Sequence, residues 1–235
     1  MPPHPDPTLS YRITIRNFIG ITLMTVLIFV IGGIIVVRLD PSIFTKERAL
    51  LDNLLWFSLL ASVGVLASTG YVLASRTAMG WGIIGLTRPE ARWVLIAVSV
   101  AAALFFAGER LDALMGFGIM ESTRASYAAT LKSEVGLIGL MAVLAIILPI
   151  SLEIYFRGVL FNFLRPMLGL EAAIGVSALV YGLLFFNPSI PVYMAYGVVQ
   201  GAVFCLLFVR SGSLWTAIVA NGTLAALTVA KVAWA

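Results

Sequence analysis

Residues 18–37 read FIGITLMTVLIFVIGGIIVV, twenty positions in a row without a charged side chain. A helix needs about 20 apolar residues to cross the hydrocarbon core of a bilayer, where each backbone polar group must find its partner within the helix. Arg12 and Arg16 precede this run. We interpret it as a membrane span and not as a signal segment, because it is long for a signal and no small-residue cleavage site follows it.

The rest of the chain has the same character. Of its 235 residues, 61% are hydrophobic and 11% are charged, whereas soluble domains are about one-quarter charged. This composition excludes an ordinary water-soluble domain and predicts an all-α polytopic membrane bundle of about seven helices, with six to eight as the range. The further candidate spans are residues 54–74, 93–107, 135–156, 172–186, 190–209 and 214–230. Two of these runs, 93–107 and 172–186, are short.

Charge and cysteine content exclude several kinds of function. The net charge is +4, but the basic residues are scattered over the loops and form no patch, so we expect no nucleic-acid partner. The single cysteine, Cys205, excludes an internal disulfide and a cysteine-based metal cluster. The single histidine, His4, lies in a proline-rich tip, residues 1–16, that we expect to be disordered. Residues 17–235 are expected to form one transmembrane domain.

Two connections combine charged with apolar residues. Residues 108–134 and, to a lesser extent, residues 158–170 have this mixture. The pattern is typical of helices that lie at a membrane surface. We therefore expect one or two helices that lie at the membrane surface in residues 108–134, and a similar arrangement in residues 158–170.

One acid and one base stand inside a strong apolar context. The stretch 149–158, PISLEIYFRG, places Glu153 four residues before Arg157, so both lie on one helical face in the order that favours pairing. A charge at the bilayer centre costs about 2.5–3.5 kcal/mol on insertion scales, so we expect this pair to have a functional or structural role. It is either a site residue with its orienting partner or a structural ion pair, and spacing alone favours the structural interpretation.

Other polar and small residues in the apolar runs suit helix contacts. The amide side chains are Asn162, Asn187, Gln200 and Asn221. Each is more typical of an interhelical hydrogen bond than of a catalytic group. Gly197 and Gly201 form a Gly-x-x-x-Gly pair, which favours close helix packing.

Residues 149–225 resemble the core of the CPBP family, the intramembrane metalloproteases that include CAAX-processing and bacteriocin-associated enzymes and are also called the Abi family. The family's first motif, Glu-Glu-x-x-x-Arg, corresponds here to Leu152, Glu153 and Arg157. The second, Phe-x-x-x-His, corresponds to the stretch from Tyr181 to Phe185. The resemblance implies a CPBP-like core over about residues 135–230.

The third motif of the family is a His followed four residues later by an Asn, after a turn of the form Arg-Thr-Gly-Ser-Leu-Trp. Residues 210–215, RSGSLW, reproduce the turn, and the two motif positions fall on Asn221 and Ala225. Gly197 and Gly201 suit the helix between the second and third motifs.

The resemblance implies a zinc site, yet the residue types that would build it are absent. The positions that surround the metal and its water in the family read Leu152, Phe185, Asn221 and Ala225. Catalytic zinc requires about three protein ligands, and leucine, phenylalanine and alanine offer none. We therefore expect no intact catalytic residue, no bound metal and no cofactor. Glu153 and Arg157 remain as a structural pair.

These observations predict a catalytically inactive CPBP-like protein that acts as a scaffold or accessory subunit for other membrane proteins. One alternative is a CPBP-type metalloendopeptidase with a diverged site. Another is a lipid- or pigment-binding or immunity-type membrane protein, because the replacements make the former site apolar. The expected partners are membrane lipids and a membrane protein, and the expected location is the bacterial inner membrane.

Overall fold

A computed structural model describes residues 13–39, 49–76, 80–131, 136–186 and 190–234 of the protein. These residues form helices joined by short turns, with no β-strand among them, and this confirms the predicted all-α bundle. Residues 1–12, with His4 and most of the expected tip, lie outside the described residues. The helices are α1 Ile15–Leu39, α2 Ala49–Arg76, α3 Ala91–Met115, α4 Ile119–Leu131, α5 Gly136–Leu168, α6 Leu170–Leu183, α7 Pro191–Ser211 and α8 Leu214–Trp234.

In the described part of the chain, six helices are long and apolar enough to cross a membrane, namely α1, α2, α3, α5, α7 and α8. The helix α6 is apolar but has only 14 residues, a length of about 21 Å. Six long spans and one short one agree with the predicted number of about seven. The chain is an integral membrane protein.

Local sequence explains where several helices begin and end. Thr14 caps α1, because its hydroxyl accepts a hydrogen bond from the backbone N–H of Asn17 at 3.3 Å. This cap starts the helix inside the segment that the sequence assigned to the tip. Pro191 opens α7, where its missing N–H costs nothing. Gly212 ends the same helix with φ of 68°, a left-handed conformation that favours glycine.

Two expectations about surface segments were wrong. Residues 108–115 continue α3 without a break, so only α4 remains as a separate helix in the expected surface segment. Residues 158–168 continue α5, and most of them are buried. The cause is tertiary: Gly158 lies against Ile84 and Leu214, where an apolar wall replaces solvent. Mixed composition therefore did not indicate the membrane surface at this place.

Close contacts define how the helices are arranged. A Cβ on Gly201 would lie 2.9 Å from the Cα of Ala178, and one on Gly182 would lie 3.1 Å from the carbonyl oxygen of Met194. These pairs make α6 and α7 an antiparallel hairpin with touching backbones. The helices α3 and α8 run parallel: the backbone N–H of Leu214 donates to the carbonyl of Gly85 at 2.7 Å just before they begin. The side chains of Lys231 and Glu109 meet at 3.1 Å near their other ends.

The helix α5 lies at the centre of the bundle and contacts α2, α6 and α8. It contains two π-helical segments, Met141–Ile147 and Ile154–Phe161. Such segments are rare and often lie at functional sites. The short α-helical stretch between them carries Glu153, so this helix brings the acid to the middle of the bundle.

Candidate functional site

The helix α5 presents Glu153 and Arg157 to the protein interior, where neither side chain has any exposed surface. An Nη atom of Arg157 donates to an Oε atom of Glu153 at 3.0 Å, across the i,i+4 spacing seen in the sequence. Two charges without access to water require further polar partners. The neighbouring helices supply some of them.

Arg157 is held from two further sides. Its second Nη atom donates to the backbone carbonyl of Gly201 on α7 at 2.8 Å. Its guanidinium carbon lies 4.4 Å from the ring centroid of Tyr181 on α6, within the range of a cation–π contact. The absence of a side chain at Gly201 lets α6 and α7 approach each other. The Gly-x-x-x-Gly pair thus brings both partners of the guanidinium together.

Asn221 brings α8 into the same cluster. Its Nδ2 atom donates to the Oε1 atom of Glu153 at 2.7 Å and lies 3.4 Å from the hydroxyl of Tyr181. Among the described residues, the second carboxylate oxygen of Glu153 and the Nε atom of Arg157 have no hydrogen-bond partner. The buried cluster is therefore connected across four helices but is not fully satisfied.

A cavity of about 250 Å³ adjoins this cluster and extends toward α4. Its wall includes all four of the positions where the sequence departs from the family's metal site. Those positions are Leu152, Phe185, Asn221 and Ala225. The space beside these four positions is therefore open.

The far end of the cavity lies where α3, α4 and α8 meet. Both carboxylate oxygens of Asp112 accept hydrogen bonds from the first backbone N–H groups of α4, those of Ile119 and Met120, at 3.0 Å each. Burial, with a smaller contribution from Tyr193, raises the pKa of Tyr127 to about 12, so this phenol is neutral at physiological pH. The helix α4 is thus fixed over this end by its N-terminus.

The side chains at the four positions that match the family's metal site do not fit zinc. Leu152, Phe185 and Ala225 carry no ligand atom, and Asn221 directs its N–H toward Glu153. One Oε atom of Glu153 is already engaged by Arg157, which leaves a single free oxygen. No group of three or more His, Cys, Asp or Glu side chains in the described part of the chain is arranged to hold a metal ion. Zinc sites require about three such ligands.

Other residues singled out in the sequence have local roles. Asn162 donates to the carbonyl of Gly158 in its own helix at 2.9 Å. Gln200 lies on the cavity wall, Cys205 is buried, and Asn187 lies outside the described residues. Sequence reasoning missed Tyr181 as the aromatic partner of Arg157. The only available signal was its position at the start of the second motif.

The cavity residues on α3 and α4 were also missed, and no spacing in the sequence indicated them. These residues lie about 95 to 115 positions before Asn221 along the chain. Periodicity reports the face of a single helix and does not report which helices surround a space.

Comparison with known families supports the resemblance seen in the motifs. Residues 134–227 match the family model of type II CAAX prenyl endopeptidase Rce1-like proteins. The matched segment begins just before α5 and ends within α8, so it contains Glu153, Arg157, Tyr181 and Asn221. No curated protein and no solved structure matches the chain. The resemblance is confirmed over residues 134–227: this part of the integral membrane protein is similar to the type II CAAX prenyl endopeptidase Rce1-like proteins.

Proposed function

We propose that the protein is a non-proteolytic CPBP-like membrane protein that binds the apolar chain of a lipid in the cavity beside Glu153. The observation that supports this most directly is the replacement of the metal-site positions by apolar wall residues, Leu152, Phe185 and Ala225, around a space that remains open. Apolar pockets with a few polar groups are the usual form of small-molecule sites. No cofactor is required for this role.

The size of the cavity restricts its occupant. A cavity of about 150 Å³ binds benzene, so about 250 Å³ suits an occupant of about ten heavy atoms. A partner's helix, which is about 10 Å wide with its side chains, is too large. A segment of a lipid chain has the appropriate size and is abundant around any membrane protein.

Native mass spectrometry of the purified protein tests this proposal. We expect a co-purifying lipid that is lost in the variant Ala225→Phe, because the new ring occupies the cavity. The matched control is Ala226→Phe, since its neighbour Ala226 does not line the cavity. Thermal stability of both variants shows whether they fold. A folded Ala225→Phe variant that retains the lipid contradicts the proposal.

The family match favours a second candidate function, a CPBP-type endopeptidase. Glu153 and Arg157 keep two positions of the family's first motif, and the match covers this region. Elemental analysis is the direct test. Stoichiometric zinc that disappears in Glu153→Ala and Asn221→Ala, together with cleavage of a prenylated peptide, would establish this function and overturn the first. A metal-free protein without cleavage contradicts the endopeptidase role.

The exposed surface of α1 favours a further role as an accessory subunit of a membrane complex. This helix packs chiefly against α2, and its exposed side includes Leu23, Val26 and Leu27. We propose the bacterial inner membrane as the location and a neighbouring membrane protein as the partner. Purification in gentle detergent should return a stoichiometric partner that is lost when Leu23 and Leu27 are replaced by Ala. A chain that purifies alone contradicts the accessory role.

A further inference from the structure

The inner end of the cavity has two polar side chains that are almost fully buried. Tyr181 is 1% exposed and Asn221 is 7% exposed, and both line the cavity. Leu152, Phe185 and Ala225 lie on the wall as well. A ligand that reaches this end contacts the phenol of Tyr181 and the amide of Asn221, which together we call the polar floor of the cavity.

The hydrogen bonds of the floor leave one acceptor and one donor free. The amide of Asn221 must direct Nδ2 toward the carboxylate of Glu153, because two oxygens in that position would repel each other. Its Oδ1 atom makes no hydrogen bond to any described residue. The Tyr181 hydroxyl accepts from Asn221 at 3.4 Å, and its own hydrogen has no acceptor in the described part of the chain. The floor therefore offers a carbonyl oxygen and an O–H group to the cavity.

The charges around the cavity disfavour an anion. Two acids, Glu109 and Asp112, line it, and no Lys or Arg among the described residues does. Arg157 lies beneath the ring of Tyr181 and is already bound to Glu153 and Gly201. A carboxylate or phosphate at the floor would thus lose its hydration without gaining a cation.

Among the residues that the structure describes, the far end of the cavity also offers no unoccupied carboxylate to bind an ammonium group. Glu109 is paired with Lys231, and Asp112 is occupied by the backbone of α4. In the described part of the wall, the remaining polar side chains are neutral, namely Thr123, Tyr127, Tyr193, Tyr196, Gln200 and Thr228. The recognition chemistry of this space is that of neutral hydrogen bonds.

We infer that the ligand binds through a neutral head group that both donates and accepts a hydrogen bond, such as a hydroxyl, at Tyr181 and Asn221. Its apolar chain then runs along α8 past Leu224 and Ala225 toward Thr228, a distance of about 10 Å from Asn221. The ligand class is a neutral lipid alcohol. This inference rests on the proposed function and specifies its ligand.

Binding of three nine-carbon probes tests the inference: 1-nonanol, nonane and nonanoate. Each labelled probe is equilibrated between nanodiscs that contain the protein and matched empty nanodiscs at pH 8, so that partition into lipid is subtracted. We expect 1-nonanol to bind at least about tenfold more tightly than nonanoate and several-fold more tightly than nonane.

The variant Tyr181→Phe removes the hydroxyl and keeps the ring over Arg157. It should weaken 1-nonanol binding about two- to tenfold and leave nonane binding unchanged. The control Tyr155→Phe removes a hydroxyl that is bonded to Thr22 at 3.2 Å and does not line the cavity, so it should change neither affinity. The ratio of alcohol to alkane affinity in the unmodified protein tests the inference even if a variant fails to fold.

The outcomes separate the inference from the function on which it rests. Equal affinity for 1-nonanol and nonane, or unchanged alcohol binding in a folded Tyr181→Phe variant, overturns the neutral-head inference and leaves an apolar-chain site. Tightest binding of nonanoate overturns it in the same way. No binding of any probe above the empty nanodiscs overturns the proposed function itself.

Discussion

Glu153 and Arg157 illustrate, at the scale of single residues, why a buried ion pair is costly to break. Removing the carboxylate leaves the guanidinium of Arg157 without an anion and the Nδ2 of Asn221 without its acceptor at 2.7 Å. Breaking such a pair typically costs about 3–5 kcal/mol. We expect Glu153→Ala to lower the free energy of unfolding in detergent by about this amount, measured by denaturant titration. The exposed acid Glu171 supplies the control variant Glu171→Ala.

The pair is not expected to be stabilising in comparison with apolar residues. One carboxylate oxygen and the Nε atom lack partners among the described residues, and a partly satisfied network is worth less than an apolar core. The double variant Glu153→Leu/Arg157→Met should therefore recover most of the stability lost in Glu153→Ala. A single variant as stable as the unmodified protein would falsify the structural role of the pair.

At the scale of elements, the α6–α7 hairpin depends on the absence of a side chain at Gly201. A methyl group there would lie 2.9 Å from the Cα of Ala178, against backbone that cannot move aside cheaply. We expect Gly201→Ala to destabilise the protein by about 1–3 kcal/mol, the usual cost of overpacking. Gly175→Ala in α6 is the matched control, because a Cβ there meets nothing within 4 Å. Equal melting temperatures for the two variants would contradict the close packing of the hairpin.

The helix α4 depends on Asp112 at its N-terminus. The side chain accepts two backbone hydrogen bonds at 3.0 Å, and loss of such a cap costs about 1 kcal/mol. We expect Asp112→Ala to raise amide hydrogen exchange in Ile119–Leu131 about fivefold. The exposed Arg124 provides the control variant Arg124→Ala within the same helix. Unchanged exchange in Asp112→Ala would show that packing alone holds α4 in place.

At the scale of the whole molecule, the close contacts predict which ends share a side of the membrane. The antiparallel hairpin of α6 and α7 places Arg165 and Arg210 at one end, and the hydrogen bond from the Thr87 hydroxyl to the carbonyl of Gly212, 3.0 Å long, brings Arg88 there too. Arg124 lies at the opposite end with α4. Single cysteines at these arginines, in a Cys205→Ala background, should therefore react in two groups with an impermeant maleimide applied to sealed vesicles. Labelling of Arg165→Cys and Arg210→Cys from opposite sides would contradict the hairpin.

Much of the fold could be predicted because each membrane-spanning helix is visible in the sequence as a continuous run of apolar residues. The run 18–37 lies within α1, and the predicted runs 190–209 and 214–230 agree with α7 and α8 to within a few residues. The prediction for residues 158–168 was wrong, because the exposed Arg165 and Pro166 resemble a surface connection, while the residues just before them, 158–164, continue α5 and are mostly buried by neighbouring helices. Where packing against other helices determines the end of a helix, the local composition of the sequence does not indicate that end.

That the protein is a bundle of membrane helices follows from its amino-acid sequence alone, because the length and polarity of a run decide whether it can cross a bilayer. The sequence also placed Glu153 and Arg157 on one face, since that follows from 3.6 residues per turn. The packing of the helices was needed to show that Asn221 is bound to Glu153, that Tyr181 covers Arg157, and that the space beside them is open. A cavity is the volume that side chains from several helices leave unfilled, so it depends on how those helices meet and on no single stretch of the chain.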